Sequence, residues 1–156
     1  MVSWHSDWRG LRVGVIGLGV TGFSVADTLA ELGAKVLVVA DSADPQQLDL
    51  LDVIGVPHLI GAPENLENTE GVPNELIDLG PELIVTSPGV RPDSAVIRWA
   101  EKAGIQVWVD VDLAWRLRDK TSKIAQWLTV TGTNGKTTVT QLTTSMLVEA
   151  GNRAIA

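Results

Sequence analysis

The chain has no cysteine and no tyrosine, a single phenylalanine and only two histidines. Without cysteine there is neither a disulfide framework nor a thiolate-bound metal. His5 and His58 lie far apart in unrelated contexts, which argues against a histidine-based metal site. No run approaches the roughly 20 apolar residues that a spanning helix needs. The opening segment "MVSWHSDWRG" lacks the apolar core of a signal peptide. The expectation is a cytoplasmic protein with no membrane partner. Positive charge is scarce too: 12 Lys and Arg stand against 19 Asp and Glu, a net charge of -7. A general nucleic-acid interface needs a basic face, so no nucleic-acid partner is expected. The acidic balance still leaves room for a nucleotide, because a few backbone N–H groups can hold a phosphate locally.

What the chain has is apolar residues, 45% of its 156, and 15 glycines. That suits one compact domain, or one domain and a piece of another. Short apolar runs alternate with segments of helical spacing. "RVGVIG" (12–17), "AKVLVVAD" (34–41), "VPHLIG" (56–61), "ELIVTSPGV" (82–90) and "IQVWVD" (105–110) read as strands. Segments 20–33, 44–55, 93–104 and 111–119 read as helices, the second with Asp44 as cap and Pro45 at its first position. Residues 62–81, rich in proline and acids, read as a loop with one helical turn near "NELIDLG". "AQWLTVT" (125–131) reads as a further strand and 136–151 as a final helix. The alternation predicts an α/β fold: a five-stranded parallel sheet with helices on both faces. The expected division is a domain over 1–110, a linker helix and connector over 111–124, and the start of a second α/β unit over 125–156. The six tryptophans read as packing residues. Asp110 and Asp112 read as partners of a helix dipole rather than a metal pair.

Two glycine loops carry the chemistry. Gly17, Gly19 and Gly22 form GxGxxG between a strand and a helix. The first glycine permits a tight turn, the second lets a phosphate approach the backbone, and the third lets helix and strand pack closely. Asp41 ends the next strand, where a dinucleotide-binding fold places the acid that holds a ribose hydroxyl. This loop alone leaves NAD and other diphosphate ligands open. The second loop, "TGTNGKTT" (131–138), also lies between an apolar run and a helical segment. Its N–H groups can wrap a phosphate, Lys136 adds a point charge, and Thr137 offers a hydroxyl to Mg²⁺. It departs from GxxxxGK[ST] in having Val130 at the first glycine position.

Together "GLGVTG" (17–22), "TSPGV" (86–90), "DVDLAWRL" (110–117) and "TGTNGKTT" (131–138) resemble the Mur ligases, in the family's order and over nearly the whole chain. Within the family, they are most similar to the branch that adds D-glutamate to UDP-N-acetylmuramoyl-L-alanine in peptidoglycan synthesis. The resemblance implies a Rossmann-like first domain that binds UDP without hydride chemistry, followed by an ATPase domain and a domain that receives the amino acid. It also implies that the remainder of the ATPase domain lies in sequence outside this chain, and that the chain alone binds UDP without catalysis.

Residue by residue, it implies that Gly17, Gly19, Val20, Thr21 and Gly22 hold the diphosphate, largely through backbone N–H groups. Asp41 and Ser42 hold the uracil or ribose, and Ser87 and Gly89 of the Ser-Pro-Gly turn line the uridine pocket. Gly132, Thr133, Asn134, Gly135, Lys136, Thr137 and Thr138 hold ATP, with Thr137 on Mg²⁺. Lys136 serves catalysis by neutralising charge on the transferred phosphoryl group. The implied reaction passes through an acyl phosphate. The family often has a basic residue where Ala43 stands, and a glutamate where Asp112 stands. The rival readings are an NAD-dependent oxidoreductase domain, which leaves "GTNGKTT" unexplained, and a stand-alone nucleotide-binding module. The apolar residues of 125–150 also lead to the expectation that 121–156 is partly disordered or packed against a second copy.

Overall fold

The computed structural model describes residues 5–61, 71–118 and 124–156. The chain divides into two units, residues 1–123 and 124–156.

The first unit runs β1 (Arg12–Ile16), α1 (Val20–Glu31), β2 (Lys35–Ala40), α2 (Pro45–Val53), β3 (His58–Ile60), α3 (Asn74–Leu79), β4 (Leu83–Thr86), α4 (Ala95–Lys102), β5 (Gln106–Val109) and α5 (Asp110–Leu117). The strands form one sheet in the order β3-β2-β1-β4-β5, every pair parallel. The continuous apolar strands follow from this arrangement, since a parallel sheet is covered on both faces. Alternate residues feed two separate cores. Val13, Val15, Val36, Val38, Leu83, Val85 and Trp108 pack with Val25 and Leu29 of α1, Leu51 of α2 and Leu113 of α5. Ile16, Leu37 and Ile84 point the other way, onto Leu76 of α3 and Val96 and Ala100 of α4. The helices therefore lie on both faces.

Local signals set the helix starts. Asp44 accepts a hydrogen bond from the Gln46 N–H at 2.8 Å, with Pro45 opening α2. Ser94 accepts from the Ile97 N–H at the start of α4. Asp110 and Asp112 lie in the first turn of α5, where their charge opposes the positive end of the helix. The helical turn expected near "NELIDLG" is α3; residues 62–70 of the surrounding loop, and residues 119–123 of the connector, lie outside the described residues.

The second unit contains α6 (Lys136–Glu149). The strand expected over 125–131 does not form: residues 124–133 have no regular secondary structure. An apolar run becomes a strand only when another strand receives its N–H and C=O groups, and none of the described residues of this unit is in a strand. Ile124 and Leu128 are exposed, as are Val139, Leu142 and Met146 of α6.

Because Leu29 is fully buried between α1 and the sheet, Leu29→Ala is expected to destabilise the first unit by about 2–5 kcal/mol. Val53→Ala, at a position 82% exposed, is expected to stay within about 0.5 kcal/mol. Urea unfolding followed by tryptophan fluorescence checks both.

Candidate functional site

Parallel register brings three chain reversals to one edge of the sheet. Ile16 is level with Val39 of β2 and with Thr86 of β4. Gly17, Asp41 and Ser87 are the first residues beyond β1, β2 and β4. They therefore sit together at the carboxyl ends of the three central strands. The chain leaves β1 for β2 on one side, while β4 lies on the other. That reversal of strand order is where open α/β sheets bind their ligands.

The β1–α1 loop is Gly17-Leu18-Gly19. Gly17 has φ 92°, a left-handed conformation open to glycine at low cost. Its N–H donates to Val39 O at 2.8 Å. Leu18 is buried in the core shared with α1 and pins the loop from below. Gly22 is a matter of space: a Cβ there would lie 2.1 Å from the Gly17 carbonyl oxygen and 2.9 Å from Ser87 Oγ. Gly19 differs, because a Cβ there would meet nothing within 4 Å. It faces open space, as a backbone position approached by a ligand would.

Gly19 is also the N-cap of α1, and it supplies no side-chain hydrogen bond. The first turn contains no acid. Val20 is 80% exposed and Thr21 is exposed as well. The positive end of α1 is thus uncompensated by any side chain of its own, and suits an anion. Asp41 and Ser42 are exposed just past β2. Ala43 packs against the core. Ser87 opens a turn closed by the Val90 N–H to Ser87 O bond at 3.0 Å, with Gly89 exposed within it. The Ser87 N–H donates to Ile16 O at 2.9 Å, and its hydroxyl donates to Gly17 O at 3.1 Å. The structure thus brings Gly17, Gly19, Val20, Thr21, Gly22 and Ser87 into one linked group, with Asp41, Ser42 and Gly89 at the same sheet edge.

In the second unit, Gly135 (φ 76°) is the N-cap of α6 and Lys136 its first residue. Lys136 Nζ donates to Gly132 O at 2.7 Å, closing the loop on itself. The Val139 N–H donates to Gly135 O at 2.9 Å, the first turn of the helix. Thr133, Asn134, Thr137 and Thr138 are all exposed. An open depression of ≈ 360 Å³ borders Lys136, Thr137, Thr140, Gln141 and Ala156. The donor set fits a phosphate: an uncapped helix start and a lysine beside it. For a metal it offers the Thr137 hydroxyl, and no cluster of three or more acids or histidines exists among the described residues.

Sequence reasoning missed contacts of two kinds. One is the Ser87–Gly17 hydrogen bond, 70 positions apart in sequence. The other is the stacking of Arg116 over Trp108 and of Arg118 over Trp115, with guanidinium-to-ring distances of 4.2 and 3.4 Å. The Trp115-x-x-Arg118 spacing on a helix is the one signal that pointed to either.

A parallel sheet in the order 3-2-1-4-5, with its glycine loop at the strand reversal, defines a Rossmann-like class of fold. The family model of the Mur ligase MurD-like N-terminal domain matches residues 11–109, and the chain belongs to that family. The UDP-N-acetylmuramoylalanine–D-glutamate ligase of Leifsonia xyli subsp. xyli is 56% identical over 159 residues, covering 98% of this chain and 30% of that protein. The enzyme of the same name from Tropheryma whipplei (strain Twist) is 40% identical over 153 residues, with the same coverage. The chain thus spans about 30% of the length of these curated relatives. Among solved structures, the UDP-N-acetylmuramate–alanine ligase MurC of Thermotoga maritima matches with a TM-score of 0.51 and 18% identity, over 67% of this chain and 22% of that one, a likeness of fold alone.

The contrast between the two glycines gives a paired expectation. Gly22→Ala forces a Cβ into the Gly17 carbonyl and is expected to cost about 2–4 kcal/mol of stability. Gly19→Ala is expected to cost no more than about 1 kcal/mol. Parallel denaturant melts of the two variants check this.

Proposed function

We propose that the first unit binds the UDP part of UDP-N-acetylmuramoyl-L-alanine, within a protein that joins D-glutamate to that substrate using ATP. The observation that carries the reading is the uncapped, acid-free start of α1 at the strand reversal, in a chain 56% identical to a D-glutamate ligase. The N–H groups of Val20, Thr21 and Gly22 take the diphosphate, and the open space over Gly19 admits it. Asp41 and Ser42 hold the nucleoside beyond β2, and Gly89 lines its pocket. Hydride chemistry has no part in this reading.

In the second unit, Gly132 to Thr138 form the ATP loop. Lys136, now bonded to Gly132 O, would hold the terminal phosphates, and Thr137 would offer its hydroxyl to Mg²⁺. ATP would pass its terminal phosphoryl group to the substrate carboxylate, leaving ADP and an acyl phosphate; the amine of D-glutamate would attack the carbonyl carbon and expel phosphate, and Lys136 would balance the charge of the transferred group. A compartment follows from the substrate class rather than from the fold: peptidoglycan precursors carrying UDP place the protein in the cytoplasm.

Calorimetric titration with UDP, NAD and Mg-ATP tests the assignment. UDP is expected to bind the first unit, with NAD at least about tenfold weaker. Asp41→Ala is expected to weaken UDP about 5- to 10-fold through loss of a hydrogen bond. NAD binding more tightly than UDP would favour an oxidoreductase domain and end the ligase reading.

A further inference from the structure

The Ser87 hydroxyl lies within hydrogen-bond distance of Gly17 O, 3.1 Å away. Its backbone N–H is bonded to Ile16 O at 2.9 Å. Ser87 thereby grips two successive carbonyls of the strand that delivers the glycine loop. The preceding peptide, between Ile16 and Gly17, is tied as well, by the Gly17 N–H bond to Val39 O at 2.8 Å. Gly22, without a side chain, closes over the same carbonyl. A hydroxyl has a single proton. Spent on Gly17, it is unavailable to a ligand.

We propose that Ser87 is a positioning residue for the anion loop, holding the Gly17 carbonyl under α1, with its one proton committed to Gly17 rather than to the ligand. The inference rests on the diphosphate reading of the loop. A peptide carbonyl oxygen is the negative end of a strong dipole. In a trans peptide, C=O and the following N–H point in opposite directions, so anchoring Gly17 O also fixes the direction of the Leu18 N–H. Gly17 can change conformation easily, because it lacks a Cβ. Released from Ser87, its oxygen is free to turn toward the N–H groups that open α1. There it competes with an anion for the same donors. The hydroxyl prevents this at the cost of one proton, and Gly22 leaves the oxygen room to stay where it is.

The test compares UDP with uridine, which lacks the diphosphate, by NMR titration of the full 156-residue chain. Ser87→Ala is expected to weaken UDP about tenfold while uridine changes by less than about twofold. The carbonyl carbon of Gly17 is expected to move upfield as it loses its hydrogen bond. Ser87→Cys, a weaker donor of similar size, is expected to fall between, and keeps the comparison available if Ser87→Ala does not fold. Ser87→Thr, which retains the hydroxyl, is expected to restore both the Gly17 signal and the preference for UDP. Equal losses for uridine and UDP would show direct contact with the nucleoside and overturn the proposal. Unchanged UDP affinity, or an unmoved Gly17 carbonyl signal in Ser87→Ala, would overturn it too. If the wild type binds neither ligand, the functional reading falls. The Gly17 resonance and the exchange rates of the Leu18 to Thr21 amides then decide the positioning role on their own.

Discussion

The close approach of α1 to the end of β1 is the constraint on which the first unit depends. A Cβ at Gly22 would overlap the Gly17 carbonyl, so the helix can lie this near the strand only because position 22 has none. That proximity lets Val25, Ala26 and Leu29 reach the valines of β1 and β2 and complete one of the two cores. It also brings the helix start directly over the strand reversal. Packing and site are therefore one arrangement: the contact that buries apolar surface is the contact that aims the N–H groups.

The second face shows the same economy. Leu76, Val96 and Ala100 cover Ile16, Leu37 and Ile84, and exposure begins in the loops beyond the strands. Asp41, Ser42 and Gly89 stay exposed there, while Ala40 and Thr86, at the ends of β2 and β4, are buried. Within a few positions the chain changes from complete burial to full exposure. A rigid floor with exposed loops above it is what a binding site on a parallel sheet requires.

Much of this was legible in the sequence because the signals were local. Alternating apolar runs and helical spacings located the five strands of the sheet. Asp44-Pro45 marked the start of α2, and GxGxxG fixed where strand gives way to helix. The failures were tertiary. "AQWLTVT" has the composition of a strand, but composition cannot supply a neighbour to pair with, and residues 125–131 remain irregular. The Ser-Pro-Gly turn is visible in the sequence, but the bond from Ser87 to Gly17 spans 70 residues and is not. Ala43 stood out only as a missing cation. Its apolar packing depends on how α2 meets the sheet, which no window of sequence contains.

The six residues from Gly17 to Gly22 include no side chain that gains or loses a proton. Whatever positive potential the start of α1 offers is built from fixed amide dipoles, and a dipole has no titration curve. An anion held there as proposed would bind insensitively to protonation of the loop itself and would follow its own ionisation. Acetylation and methylation of lysine, which can silence a cationic site, have no target in the loop. The same design gives the loop no long, flexible arm with which to follow a misplaced ligand. On the proposed reading its selectivity would rest on where the backbone is held, and a shift of the Gly17 peptide would alter it as surely as a change of residue.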